Sequence, residues 1–493
     1  MRGYLGWFGV ILLLAYWGNI PGSGVAAAQT STEDQCVACH LDLEDPIVEM
    51  YARDVHAAHG ISCADCHGGD PTAEDMDEAM SPARGFIEDL QGTRITQMCL
   101  QCHASVERLQ AYGSTLNPEY VRPFPESVHG NADVATCITC HGVHDIRPHT
   151  DPASPVHRSR AVELCGRCHS DPNYMRRFNP ALPTDQVEKY WTSRHGQQLR
   201  TGDTRVAVCW DCHDHHAIFP ASDPRSTVHP VHVPFTCARC HSNPILMREY
   251  ALPADQFDLY SVSAHGKALL EKHDTGAPAC NDCHGNHGAL PPGVLSISHV
   301  CGTCHSINAE YFNRSPHAEP FREKNLPQCE VCHGNHDVRP VTDEMLRPGQ
   351  PSICEKCHHA DDTGMRVAQR MYTALVELRT QMERARQMLT VAEQKGLEVS
   401  DALMQLKDVR SALIRARTVT HQMDPKALTD VVRPALEQAR SLVRVGEQAL
   451  AEYRFRRMGL AIATLLTTLL VILLYVKLRQ MEATSRGTQQ MGK

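Results

Sequence analysis

Large aromatic side chains are scarce in this 493-residue chain: Phe, Tyr and Trp together make up 5% of it. A chain so poor in rings lacks the side chains that dominate most protein cores. Basic residues form no sustained cluster and the formal net charge is −9, so a nucleic-acid partner is not indicated. No cysteine stands alone either. All 22 fall in copies of one motif, Cys-x-x-Cys-His, and none is left over for a disulfide, a separate zinc knuckle or a nucleophile.

The motif occurs eleven times. The copies are Cys36, Cys39 and His40; Cys63, Cys66 and His67; Cys99, Cys102 and His103; Cys137, Cys140 and His141; Cys165, Cys168 and His169; Cys209, Cys212 and His213; Cys237, Cys240 and His241; Cys280, Cys283 and His284; Cys301, Cys304 and His305; Cys329, Cys332 and His333; and Cys354, Cys357 and His358. Two thiols three positions apart can each form a thioether to one edge of a single porphyrin, and the histidine directly after them then sits under the iron. This is the mark of covalent c-type haem attachment. Zinc knuckles and redox dithiols have no reason to place His after every second Cys. The expectation is eleven covalent haems c, with these eleven histidines as proximal iron ligands.

The stretch 29–361 has only about 30 residues for each motif, too few for an ordinary apolar core. The porphyrins must supply its interior, so short helices and long loops dictated by haem ligation are expected, and folding should depend on the cofactor. Each haem also adds two propionates, which makes the holoprotein more acidic than its sequence.

After the first motif the sites fall into five pairs, led by Cys63, Cys137, Cys209, Cys280 and Cys329. Ahead of each leading member lies a His followed by a small residue: His59-Gly60, His129-Gly130, His195-Gly196, His265-Gly266 and His317-Ala318. Three positions past the leading proximal His comes another in four of the pairs: His144, His216, His287 and His336. The first pair has Asp70 there instead. This is a two-haem unit of about 50 to 75 residues laid end to end. The nine repeat-position histidines are the first choice as distal iron ligands. A His three residues past a proximal His points away from that haem, so it should serve a neighbour. Further distal ligands are sought among His56, His157, His229, His232, His299 and His359. His421 falls in a later helical segment and is set aside.

Past His359 the composition turns helical. Met371, Leu375, Leu378, Met382, Ala385, Leu389 and Ala392 step by fours and threes, and Ala402, Leu406, Val409, Leu413 and Ala416 do the same. Gly396 reads as a C-cap and Asp424-Pro425 as a helix start. A third helix runs to about Arg457, with an interruption or kink expected at Pro434. Short connections favour an antiparallel bundle, with an intermolecular coiled coil, and hence a homo-oligomer, as the alternative. Residues 458–476 carry no charge and are long enough to cross a membrane. Residues 1–28 read as a secretory signal, with an apolar stretch from Leu5 to Trp17 and a small-residue site at Ala26-Ala27-Ala28.

The expected organisation is therefore a signal peptide at 1–28, an undecahaem region at 29–361, a helical bundle at 362–457, a transmembrane helix at 458–476 and a cytoplasmic tail at 477–493. The fold class is mainly α.

These motifs identify the chain as similar to the multihaem c-type cytochrome superfamily. The repeated His-Gly followed by Cys-x-x-Cys-His-Gly-x-His resembles the tetrahaem and decahaem electron-transfer cytochromes of anaerobic respiration. The order of haem region then long helices is similar to nitrite reductase and hydroxylamine oxidoreductase, although the Cys-x-x-Cys-Lys site common in the former is absent. The resemblance implies a membrane-anchored relay on the periplasmic face of a bacterial cytoplasmic membrane. It would carry electrons between a quinol-oxidising partner and other cytochromes. The alternative is an oxidoreductase acting on a small nitrogen or sulfur compound at one five-coordinate haem; no acid–base constellation marks catalytic residues for it.

Overall fold

A computed structural model describes residues 34–131, 134–290, 297–349 and 352–490. The expected signal segment lies outside them. Every regular element among the described residues is a helix, most of them short. The chain forms two compact units: residues up to Glu188 together with His195–Thr227, and Lys189–Arg194 together with everything from Val228 onward. The first contains the first six motifs and the second contains the last five.

Local chemistry gives each motif its helix. In the leading members Cys63–His67, Cys137–His141, Cys209–His213 and Cys280–His284, the motif is itself a single helical turn. The residue just before the second Cys reaches back to the N-cap amide. Asp65 accepts from Ser62 N–H at 2.7 Å, Asp211 from Val208 N–H at 2.7 Å, Asp282 from Ala279 N–H at 2.7 Å and Thr139 from Thr136 N–H at 3.0 Å. An otherwise marginal helix of one turn is held by this half of a capping box. In the trailing members the motif instead closes a longer helix, as in Thr93–His103, Ala161–His169 and Val233–His241.

The second unit ends in three long helices, α1 (Thr363–Gln394), α2 (Ser400–Val419) and α3 (Pro425–Gln490). Asp362 caps α1 by accepting from Met365 N–H at 2.9 Å, and Asp424 accepts from Lys426 N–H at 2.8 Å at the start of α3. The two heptad stripes are buried against each other and against Leu428, Val432, Ala435, Ala439, Leu442 and Val443 of α3. Met382 alone is only partly buried. The seam is thus filled from within one chain as an antiparallel three-helix bundle. Gly446 lets α3 approach α1 closely, since a Cβ there would lie 2.7 Å from Met388 Cβ.

The interruption that Pro434 could have caused is absent: α3 runs through it. Pro434 is exposed, so the carbonyl it leaves unpaired is open to water. The same helix continues through 458–476, where every side chain is exposed; this is the one helix among the described residues long and apolar enough to cross a membrane.

Candidate haem centres

An imidazole nitrogen sits about 2 Å from a metal it binds. Two imidazoles on opposite faces of one iron therefore place their ring centroids about 6 Å apart. Among the described residues, the motif histidine has a facing ring at this spacing at eight motifs. Four involve leading motifs: His67 with His144 at 6.0 Å, His141 with His216 at 6.1 Å, His284 with His336 at 5.9 Å and His333 with His421 at 6.1 Å. Four involve trailing motifs: His103 with His56 at 5.9 Å, His169 with His129 at 6.1 Å, His305 with His265 at 6.3 Å and His358 with His317 at 5.8 Å. Among the described residues no group of three or more His, Cys, Asp or Glu gathers in the way a bare metal ion would require. Opposed pairs, not cages, are what a porphyrin between two imidazoles needs, and the residues fit that group.

A simple rule underlies the pairing. At the pairs led by Cys63, Cys137, Cys280 and Cys329, the His ahead of the leading motif faces the trailing proximal His of its own pair. His144, His216 and His336, each three past a leading proximal His, face His67, His141 and His284, the leading proximal His of the preceding pair. One backbone hydrogen bond ties the two sets together. The residue before the upstream His donates to the carbonyl two residues past the downstream one: Val55 to Ile146 at 2.8 Å, Val128 to Ile218 at 3.0 Å, Arg194 to Ala289 at 3.0 Å and Ala264 to Val338 at 2.7 Å. His195 and His287 hold the same repeat positions as these residues.

The structure departs from the sequence reading at two places. His56, not His59, stands opposite His103, and His59 is exposed. The decisive signal is a buried cap two residues ahead of the ligand position: Ser127, Ser193, Ser263 and Ser315, with Asp54 in the same place. Asp54 accepts from His56 N–H and from its Nδ1–H, both at 2.8 Å, and its other oxygen accepts from Ile146 N–H at 2.7 Å. The small residue after the upstream His also has a cause. A Cβ on Gly130 would lie 2.2 Å from Phe124 O, and one on Gly266 would lie 1.9 Å from Tyr260 O, whereas one on Gly60 would meet nothing within 4 Å. The second departure is His421, whose ring faces His333 from the turn between α2 and α3.

Electrostatics favour ligation. Burial lowers the proton affinity of His67, His103, His129, His141, His144, His169, His265, His317, His333 and His336, and takes His216 to about 4 with help from His215 and His141. Neutral rings keep a lone pair for iron. Acceptors at Nδ1 fix the tautomer: Asp45 on His40 at 3.0 Å, Asp362 on His358 at 2.9 Å and Thr418 O on His421 at 2.9 Å.

The thiols join consecutive motifs. Cys99 lies close enough to Cys137 for the two thiols to shift each other's proton affinity, as do Cys165 and Cys209, Cys237 and Cys280, and Cys301 and Cys329. Within pairs, Cys66 feels Cys102, Cys140 feels Cys165, Cys283 feels Cys301 and Cys332 feels Cys354, each raised chiefly by burial. Cys36 lies close enough to raise Cys63 as well.

Residues 55–170 match the family described as Cytochrome c3. The chain is 24% identical over 219 residues to multiheme cytochrome MtrA of Shewanella baltica, a match covering 42% of this chain and 52% of that protein. It is 22% identical over 156 residues to cytochrome c-type protein NrfB of Escherichia coli, covering 31% and 73%. The chain is a multihaem c-type cytochrome. Its cofactor is covalent haem c, and electron transfer is the chemistry that cofactor supplies. The cytochrome spans about half the length of MtrA. No solved structure matches it.

Proposed function

We propose that this cytochrome carries eleven covalent haems and relays electrons along them in chain order, from the periplasmic face of a bacterial cytoplasmic membrane. The single observation that carries the reading is the opposed imidazole spacing near 6 Å, repeated at eight motifs. Iron held on both faces has no open position for a substrate and can only exchange electrons. The eleven motif histidines would be the proximal ligands. His129, His144, His216, His265, His317 and His336 would be distal ligands, with His195 and His287 joining them by repeat position. His56, which faces His103, would be the distal ligand of the third haem in place of His59.

The sulfur contacts between successive motifs support a continuous path inside each unit. Residues 458–476 would anchor the cytochrome in the membrane, with 477–493 in the cytoplasm. There it would accept electrons from a quinol-oxidising membrane partner and pass them to periplasmic or outer-membrane cytochromes.

The test is stopped-flow spectroscopy of the full-length, fully reduced cytochrome mixed with an oxidised soluble multihaem cytochrome. All haems reoxidise if the relay is right. Reoxidation of only a fraction, or steady turnover of nitrite, hydroxylamine or sulfite, overturns it.

A second reading attaches to the first haem. The His40 side chain is 42% exposed, and among the described residues no ring stands opposite it at ligand spacing. An open iron position there would make this the haem where a small nitrogen or sulfur compound is bound. Carbon monoxide binding by the ferrous protein at one site supports that reading, and no binding removes it.

A further inference from the structure

We propose that His421 is the distal ligand of the tenth haem, so that the bundle carrying the membrane helix is fastened to the haem chain through an iron bond. The inference rests on the relay reading above and adds a ligand from outside the repeats. Each leading haem but the last can draw its distal ligand from the pair that follows. His67, His141 and His284 face His144, His216 and His336 in this way. The pair led by Cys329 has no successor, because the motifs end at His358. His333 would be left without a partner by the rule. The structure fills that place with His421, 6.1 Å from His333 and 27° from parallel, within the range of the other leading pairs.

The surroundings are built for this. The α2 helix ends at Val419, Thr420–Gln422 form a tight turn, and Met423 adopts φ +53° before α3 begins. A non-glycine residue in that left-handed region marks a backbone held in place by its context. The His421 Nδ1–H donates to Thr418 O at 2.9 Å, which leaves Nε2 as the free lone pair.

A second contact fixes the same junction. Asp343, whose side chain is 2% exposed, accepts from Arg379 of α1 at 2.8 Å and from Arg417 of α2 at 2.8 Å. Arg417 lies one helical turn before His421. A buried carboxylate gripped by two guanidiniums is costly to separate. It ties the segment after His333 to the two helices whose hairpin presents the ligand.

The experiment uses full-length holoprotein. In His421→Ala, intact mass stays at the wild-type haem count, and low-temperature electron paramagnetic resonance gains one additional high-spin ferric haem per protein. The ferrous variant binds one additional equivalent of carbon monoxide. In His421→Met the tenth haem stays low-spin with a raised reduction potential, as a Met/His pair produces. This second variant keeps a ligand in place, so it reports even if the alanine variant folds poorly. An alanine variant with wild-type spin state and no added carbon monoxide binding overturns the proposal, as does a methionine variant with an unchanged potential. If the wild type itself lacks bis-imidazole low-spin signals, the relay reading fails first and is identified as the fault.

Discussion

Cys99 and Cys137 lie close enough to shift each other's proton affinity, although they open two different motifs in two different pairs. The contact recurs at the next three junctions between pairs: Cys165 with Cys209, Cys237 with Cys280 and Cys301 with Cys329. Once both sulfurs are thioethers, the attachment edges of successive haems must abut. The proposed relay in chain order within each unit rests on this contact.

The register of distal ligands separates two neighbouring histidines. His56→Ala is expected to convert the third haem to a high-spin ferric state, because His56 alone of the two faces His103. His59→Ala leaves that haem low-spin. Electron paramagnetic resonance of the two purified variants checks this, and a high-spin third haem only in the His59 variant would reverse the assignment.

Gly266→Ala tests why a small residue follows the upstream histidine. The added methyl would fall 1.9 Å from Tyr260 O, so the turn must shift. The cost is about 1–3 kcal/mol, typical of overpacking. Part of the ninth haem population should become high-spin as His265 moves away from His305. Gly60→Ala adds a methyl into open space at φ +72°, costs about 1–2 kcal/mol through backbone strain and leaves every spin state unchanged.

The ring angles divide the haems into two classes. Facing rings at leading motifs lie 10–29° from parallel. Those at trailing motifs lie at 31°, 54°, 77° and 86°. Near-parallel imidazoles split the iron d orbitals strongly, and crossed ones leave them nearly degenerate. The oxidised protein should therefore show an ordinary rhombic low-spin signal together with a strongly anisotropic one. A single homogeneous rhombic signal would contradict the ring geometry.

Leu378→Ala removes a side chain that is fully buried among the three long helices. A loss of about 2–5 kcal/mol is expected. It should appear as a lower midpoint in denaturant-induced loss of helical circular dichroism, with the haem absorption spectrum of the native state unchanged.

Much of this was legible in the sequence because its signals are local. Cys-x-x-Cys-His announces itself within five residues, and the stripes Met371 to Ala392 and Ala402 to Ala416 announce a packed seam. What was not legible depends on contacts across the chain. His59-Gly60 imitates the His-small pattern. The placement of His56 opposite His103 goes with the buried Asp54, which stands where other repeats have Ser and whose carboxylate accepts from Ile146 N–H far along the chain. His421 sits outside every repeat and meets His333 only because the turn after α2 folds back onto the last pair. Pro434 looked like a break because the pattern does not reveal that the unpaired carbonyl would face water.

Intact-mass spectrometry of the mature, exported protein tests the central claim most directly. The account predicts a mass equal to the processed polypeptide plus eleven haem increments, with no free thiol. A product with markedly fewer increments, or one whose cysteines titrate as thiols or bind zinc, would contradict it.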